Sequence, residues 1–204
     1  MGIELADLVA GNAAYVQARC GVPPLPPVPA EGLIILTCMD VRIDPLTCLG
    51  LAPGSAHILR NAGARITEDV VRSIMVSTKL MGTDHVVIMG HTRCGLSLVS
   101  NYQMGELVAH SQLPAQLVNG TFEPVERNQG AYTGRGYDFL AFADIDQAVA
   151  SDVFKLAWHP LMPPHLRVTG LVLDVESGRV RAVPGATRSP GSLAESLARP
   201  VDII

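Results

Sequence analysis

Five residues in two short stretches carry side chains suited to one piece of chemistry. The first stretch reads Leu33-Ile34-Ile35-Leu36-Thr37-Cys38-Met39-Asp40-Val41-Arg42, the second Val86-Val87-Ile88-Met89-Gly90-His91-Thr92-Arg93-Cys94-Gly95. Each begins as an apolar run and stops at a residue able to ligate a metal. Cys38, His91 and Cys94 offer two sulfurs and one imidazole, ligands of the kinds zinc takes, and a catalytic zinc keeps its fourth position for water. His91 and Cys94 are three apart, one helical turn, so both can face a single ion where a strand opens into a turn. A cysteine alone is usually a small buried hydrophobe, and H-x-x-C by itself is a weak signal. Its pairing with C-x-D-x-R after another buried run is the stronger one.

Asp40 and Arg42 alternate with Cys38, which puts all three on one side of an extended segment. As an exposed ion pair they contribute only about 0–1 kcal/mol. Beside a zinc-bound hydroxide the carboxylate does more: it accepts the hydroxide's hydrogen bond and aims a lone pair at a substrate. Arg42 then holds Asp40 ionised and oriented through a bidentate pair. Released from Arg42, Asp40 is free to swing in as a fourth ligand, so the pair can act as a switch. Two other uses of the same residues stay open. One is a structural zinc site completed by Cys48 or Asp40; the other is a redox pair of Cys38 and Cys94.

The elements that must position these residues follow from the same pattern. Uninterrupted apolar runs read as strands buried on both faces, as in a parallel sheet covered by helices. In such sheets ligands bind beyond the strands' carboxyl ends at a switch point. Residues 2–19 predict a leading helix with Leu5, Leu8, Val9, Ala13 and Val16 at helical spacing. Val22 to Pro29 predicts a stiff extended arm. Strands are expected at 33–37, 56–60, 85–90 and 168–175, with a closing edge strand at 180–183. Asp44-Pro45 starts a short helix. Thr67 caps a longer one ending at Gly82 and burying Val70, Val71, Ile74, Met75 and Met81. Further helices are expected near 96–109 and 143–158, separated by a surface excursion at 110–140. The glycine-rich run 130–136 lacks the Lys-Ser/Thr ending of a phosphate cradle. His57 and His85 read as structural, and Cys20 and Cys48 as packing thiols. The expected fold is therefore α/β: a mainly parallel central sheet of order 2-1-3-4 with an antiparallel edge strand, flanked by helices. That order puts Cys38 and His91 at one switch point, with the loop Asn61-Ala62-Gly63-Ala64 beside them. Backbone N–H groups of Ala62 and Gly63 are expected near the product oxygens.

Bulk composition sets the frame. The chain has 204 residues, 48% of them hydrophobic. It reads as one domain, 1–204, with an N-terminal helix and proline-rich arm over 1–32 and a tail over 185–204. Fifteen Lys and Arg against nineteen Asp and Glu give a formal charge of −4, which argues against a nucleic-acid surface. No apolar run reaches membrane-spanning length. Four cysteines and no positive signal-peptide start read as reduced thiols in the cytoplasm.

Cys38-Met39-Asp40-Val41-Arg42 together with His91-Thr92-Arg93-Cys94-Gly95 resembles the β-class carbonic anhydrases. Arg60-Asn61-Ala62-Gly63 and Glu68-Asp69-Val70-Val71-Arg72-Ser73 extend the resemblance over 33–98, and His159-Pro160-Leu161 marks a looser match over 156–183. The resemblance is to the short bacterial branch, which also contains enzymes hydrolysing carbonyl sulfide or carbon disulfide. It implies Zn2+ held by Cys38, His91 and Cys94, an Asp40–Arg42 dyad, and a homodimer or higher homo-oligomer. The expected reaction is reversible hydration of CO2 to bicarbonate and a proton. Hydrolysis of carbonyl sulfide or carbon disulfide is the alternative, and a non-catalytic zinc protein is the third. Two thiolates cancel the ion's charge, so its water should be less acidic than the pKa of about 7 seen with three histidines. Activity is accordingly expected to rise above neutral pH.

Overall fold

The computed structural model describes residues 2–126 and 130–189. Most of the predicted tail, 190–204, lies outside them. In chain order the elements are α1 (Leu5–Ala18), β1 (Leu33–Cys38), α2 (Pro45–Cys48), β2 (Ala56–Asn61), α3 (Glu68–Met81), β3 (His85–His91) and α4 (Asn101–His110). They continue with β4 (Ala115–Val118), β5 (Thr121–Pro124), α5 (Ile145–Ala157), β6 (Arg167–Leu173) and β7 (Val180–Arg188). The main sheet has the order β2-β1-β3-β6-β7. β1 pairs in parallel with both β2 and β3, β3 with β6, and only β7 runs antiparallel. This is the expected order, with the fourth predicted strand as β6.

The apolar runs lie where a doubly covered sheet needs them. Ile34, Ile35, Leu36, Val86, Ile88, Met89 and Val168 are fully buried. On one face Ile34, Leu36, Val86 and Ile88 pack with Val71 and Ile74 of α3 and with Val149, Val153 and Leu156 of α5. On the other, Ile35, Val87 and Met89 pack with Ile43, Leu173 and the two buried thiols Cys38 and Cys94. The helix starts expected at Asp44, Thr67 and near 143 are found, whereas the helix expected from 96 starts only at Asn101, after a 3-10 turn over Gly95–Ser97. Asp44 accepts from the Thr47 N–H, Thr67 from Val70, and Asp144 from Asp146 and Gln147. Gly82 ends α3 at φ 68°.

α5 lies close against the strand that delivers His91. A methyl group added to Gly90 would stand 2.6 Å from Ile145 Cδ1 and 2.8 Å from Val149 Cγ2. Gly90→Ala is therefore expected to destabilise the protein by about 1–3 kcal/mol, the usual cost of overpacking a well-filled core. Urea denaturation measures this, and an unchanged midpoint would contradict the packing described.

Several expectations need correction. The edge strand extends to Arg188, so residues 185–188 belong to the sheet and not to a tail. Pro184 does not end it, because an edge strand has one unpaired row of N–H groups and admits proline. The register also shifts between Thr169 and Leu171 opposite this stretch, and Val183 and Ala186 are both buried. Met81 is only half-buried, while Ser77 faces the core. The excursion carries a β4–β5 hairpin. Its turn is Asn119-Gly120, with φ of 50° and 82°, the doubly positive geometry that matches the twist of paired strands. Residues 130–136 wrap α4, where Gly105, Gly130 and Gly134 leave no room for side chains. Cys20 is exposed and not packed. No residue of α1 is buried; Leu5, Leu8, Val9 and Val16 are all exposed.

Candidate metal centre

β1 and β3 run side by side, with Leu36 opposite Ile88 and Thr37 opposite Met89. Cys38 is the last residue of β1 and His91 the last of β3. Beyond His91 the chain turns back through Arg93 at φ 55°, a left-handed conformation that brings Cys94 round to the same rim. Two bonds fix this turn to β6 and the residues after it: Thr92 N–H donates to the Leu173 carbonyl at 2.9 Å, and Val175 N–H to Thr92 Oγ1 at 3.2 Å. The Cys38 and Cys94 sulfurs and a His91 ring nitrogen consequently lie within 4.8 Å of one another, and all three residues are buried.

The donor set fits a soft-to-borderline divalent ion. His91 Nδ1 lies 2.9 Å from the Thr92 carbonyl. A carbonyl only accepts, so Nδ1 carries the proton and Nε2 keeps its lone pair. Nε2 is buried and has no hydrogen-bond partner, an arrangement that is costly for a polar atom left alone and natural for a ligand atom. A hydrogen bond from the Cys94 thiol, helped by the Gly63 N–H, pulls the Cys38 thiol well below its ordinary range despite burial. The same bond to Cys38, together with burial, pushes Cys94 up. Cys38 is thus the sulfur that ionises more readily, and two sulfurs and one imidazole nitrogen within 4.8 Å of one another could hold a divalent cation.

Asp40 sits at the edge of this cluster. Arg42 engages it three ways: Nε donates to Oδ1 at 2.9 Å, Nη2 to Oδ2 at 2.6 Å, and the backbone N–H to Oδ1 at 2.9 Å. Those bonds hold the Asp40 carboxyl well below the usual carboxylate range. Arg42 Nη2 also donates to the Arg93 carbonyl at 3.1 Å, so the dyad ties the strap after β1 to the turn carrying Cys94. Asp40 Oδ2 is 3.9 Å from His91 Nε2, close to the cluster but committed to Arg42. From β2, Arg60 braces the same strap by donating to the Cys38 and Asp40 carbonyls at 3.0 and 2.6 Å.

Ala62 and Gly63 both line the cavity that opens onto the cluster. The Gly63 N–H is engaged with Cys38 Sγ at 3.3 Å. Cys48 stands apart: it is the last residue of α2, half-buried against the core, and donates to the Pro45 carbonyl at 3.6 Å. It does not join the cluster, so the structural-zinc alternative loses that fourth ligand. The cysteines are free thiols. Spacing in the sequence also missed Arg65 and Asp152, which form a buried ion pair at 2.6 Å behind the Gly63 turn. They lie 87 residues apart, and neither sits in a motif.

The cavity measures about 1060 Å³. Its floor holds Asp40, Arg42 and the two thiols, and its walls are apolar: Met104, Leu107 and Val108 of α4, then Leu113 and Phe122 at the excursion.

A largely parallel α/β sheet with a Cys-His-Cys cluster at its switch point, beside an Arg-clamped aspartate, defines a protein built around a metal-capable rim. The sequence model of the carbonic anhydrase family matches residues 33–180, and the chain belongs to the β class of that family. It is 28% identical to β-carbonic anhydrase 1 of Mycobacterium tuberculosis over 177 residues, 87% of this chain and 96% of that protein. It is 31% identical to a carbon disulfide hydrolase of an Acidianus strain over 154 residues, 73% of this chain and 76% of that one. Among solved structures, the carbonic anhydrase of Streptococcus mutans superposes with a TM-score of 0.76 at 36% identity, covering 90% of this chain and 99% of that one.

Proposed function

We propose that the chain is a zinc enzyme catalysing the reversible hydration of CO2 to bicarbonate and a proton. The observation that carries this is the unpartnered, buried His91 Nε2 within 4.8 Å of two buried sulfurs, with Asp40 held aside by Arg42. Cys38, His91 and Cys94 would hold the ion. When bound, zinc supplies the Lewis acidity that makes water nucleophilic near neutral pH. Asp40 accepts a hydrogen of the attacking water and directs its lone pair toward the carbon of CO2. Arg42 keeps that carboxylate ionised and fixed in direction. Ala62 and Gly63 line the cavity beside the cluster; the Gly63 N–H is given to Cys38 Sγ, which leaves the Ala62 side for the product oxygens, and the apolar walls hold bulk water back from the linear substrate.

A second assignment has its own support: hydrolysis of carbonyl sulfide or carbon disulfide by the same residues. The apolar walls built by α4 and the excursion suit a sulfur heterocumulene, and relatives named as carbon disulfide hydrolases are about as similar to this chain as the β-carbonic anhydrase. We further propose that the whole chain acts as one catalytic unit and as a cytoplasmic homodimer. The bare apolar stripe of α1 supports the dimer, and the free thiols support a reducing compartment. Among the described residues no helix is long and apolar enough to cross a membrane.

Stopped-flow hydration of CO2 by the zinc-loaded chain, run from acid to alkaline pH beside sulfide release from both sulfur compounds, tests these assignments. Hydration is expected to rise above neutral pH, because two thiolates leave the activated water less acidic than three imidazoles would. A flat profile would contradict the thiolate-rich centre. Sulfide release outpacing hydration would select the second assignment.

A further inference from the structure

The buried ion pair behind the cluster has a use that burial alone does not explain. Arg65 Nε donates to Asp152 Oδ2 at 2.6 Å, with the side chains 10% and 4% exposed. Such a pair is a poor source of stability, since desolvation offsets much of the attraction. Its other contacts converge on the site. Arg65 follows the 61–64 turn, which the Asn61 side chain closes at both ends: Oδ1 accepts from Arg65 N–H at 2.9 Å and Nδ2 donates to the Arg65 carbonyl at 2.7 Å. Inside that turn Gly63 has φ 78° and donates its N–H to Cys38 Sγ. A methyl there would meet Leu96 Cδ2 at 2.8 Å and Phe142 Cε1 at 3.2 Å, so the turn has one tight seat.

The same guanidinium reaches the other side of the site. Arg65 Nη1 donates to the Leu140 carbonyl at 2.6 Å, and the group lies 5.5 Å from the centre of the Phe142 ring. Leu140 is left-handed at φ 55°, its N–H held by Asp138 at 2.9 Å, and its neighbour Phe139 lines the cavity. Asp152 comes from the buried face of α5. Lys155, one turn on, donates to the Ile66 carbonyl at 2.8 Å and adds a second tie from the same helix to the same turn.

We propose that Arg65 and Asp152 are positioning residues of the metal centre. The pair seats the Gly63 N–H on the Cys38 sulfur and holds residues 139–142 against the cavity. An N–H bond to a thiolate draws electron density from sulfur and fixes its lone-pair direction, so losing the seat leaves a sulfur that donates more strongly and points less reliably. The proposal rests on Cys38 being a metal ligand.

The test uses the cobalt-substituted protein, whose thiolate-to-metal charge-transfer absorption reports sulfur donation independently of turnover. Arg65→Met combined with Asp152→Leu removes both charges at once. It therefore leaves no lone buried charge, and such replacements are often neutral for stability. The double variant is expected to fold with a near-native melting temperature and to load cobalt. Its charge-transfer band should move to lower energy, and kcat should fall about 10–100-fold with little change in KM. Arg65→Lys, which keeps the charge but loses the fork, should recover part of both. A metal-loaded double variant with the native band and native kcat would overturn the inference. If that variant does not fold, Asp152→Asn is read instead: a smaller shift in the same direction supports the pair, and an unmoved band overturns it. Wild-type protein that takes up no cobalt would defeat the metal assignment itself, a failure separate from that of the pair.

Discussion

Exchange of Cys94 for serine, or of His91 for alanine, is expected to release the metal and bring CO2 hydration down to the uncatalysed rate. The one further donor at hand, Asp40, is committed to Arg42. A serine hydroxyl is not ionised at neutral pH and is a harder donor than thiolate, so it does not replace the sulfur for zinc. The sheet should survive. Cys94 lies in a turn beyond β3, and the strands are held by Ile34, Ile35, Leu36, Val86 and Ile88, all fully buried. A buried hydroxyl in place of the thiol costs about 1–3 kcal/mol, a loss visible in the melting temperature but distinct from unfolding. Zinc counted per chain after gel filtration, with stopped-flow hydration on the same sample, measures both effects. A serine variant that keeps one zinc and the native rate would show that the cluster is not the catalytic centre.

Asp40→Asn is expected to lower kcat/KM by about 10²–10⁴-fold, the range for removing a positioned proton acceptor, without loss of zinc. The amide is nearly the same shape, but it presents an N–H₂ group where Arg42 and the attacking water both need an acceptor. Arg42→Ala should cost less, about 10–100-fold, because it leaves the carboxylate in place and only frees its direction. Since Arg42 acts through Asp40, adding Arg42→Ala to Asp40→Asn should cost little more than Asp40→Asn alone; residues sharing one contact are not additive. Full activity in Asp40→Asn would remove the dyad from the mechanism.

The parts of this molecule that obey short-range rules were legible before the structure. Apolar runs ending in Cys38 and His91 gave the buried strands, caps at Asp44 and Thr67 gave the helix starts, and strand order followed from bringing both runs to one rim. The hairpin at 115–124 was not legible, because its strands are only four residues each and largely exposed, too short for a period to stand out. The length of β7 was hidden by Pro184-Gly185, a breaker in most settings but tolerated at an edge. Arg65 and Asp152 were invisible for another reason. Nothing local marks a residue whose partner lies far along the chain, and the pair is defined only once α5 packs over the turn after β2. The fate of the α1 stripe is likewise a property of whatever covers it, and no pattern within one chain specifies that surface.

X-ray absorption at the zinc edge of the purified chain reads the ligand shell itself. One zinc per chain is expected, with two sulfurs at about 2.3 Å, one imidazole nitrogen near 2.0 Å and one further light atom. Absence of bound zinc, or a shell with three or more sulfurs, would contradict a zinc held by Cys38, His91 and Cys94.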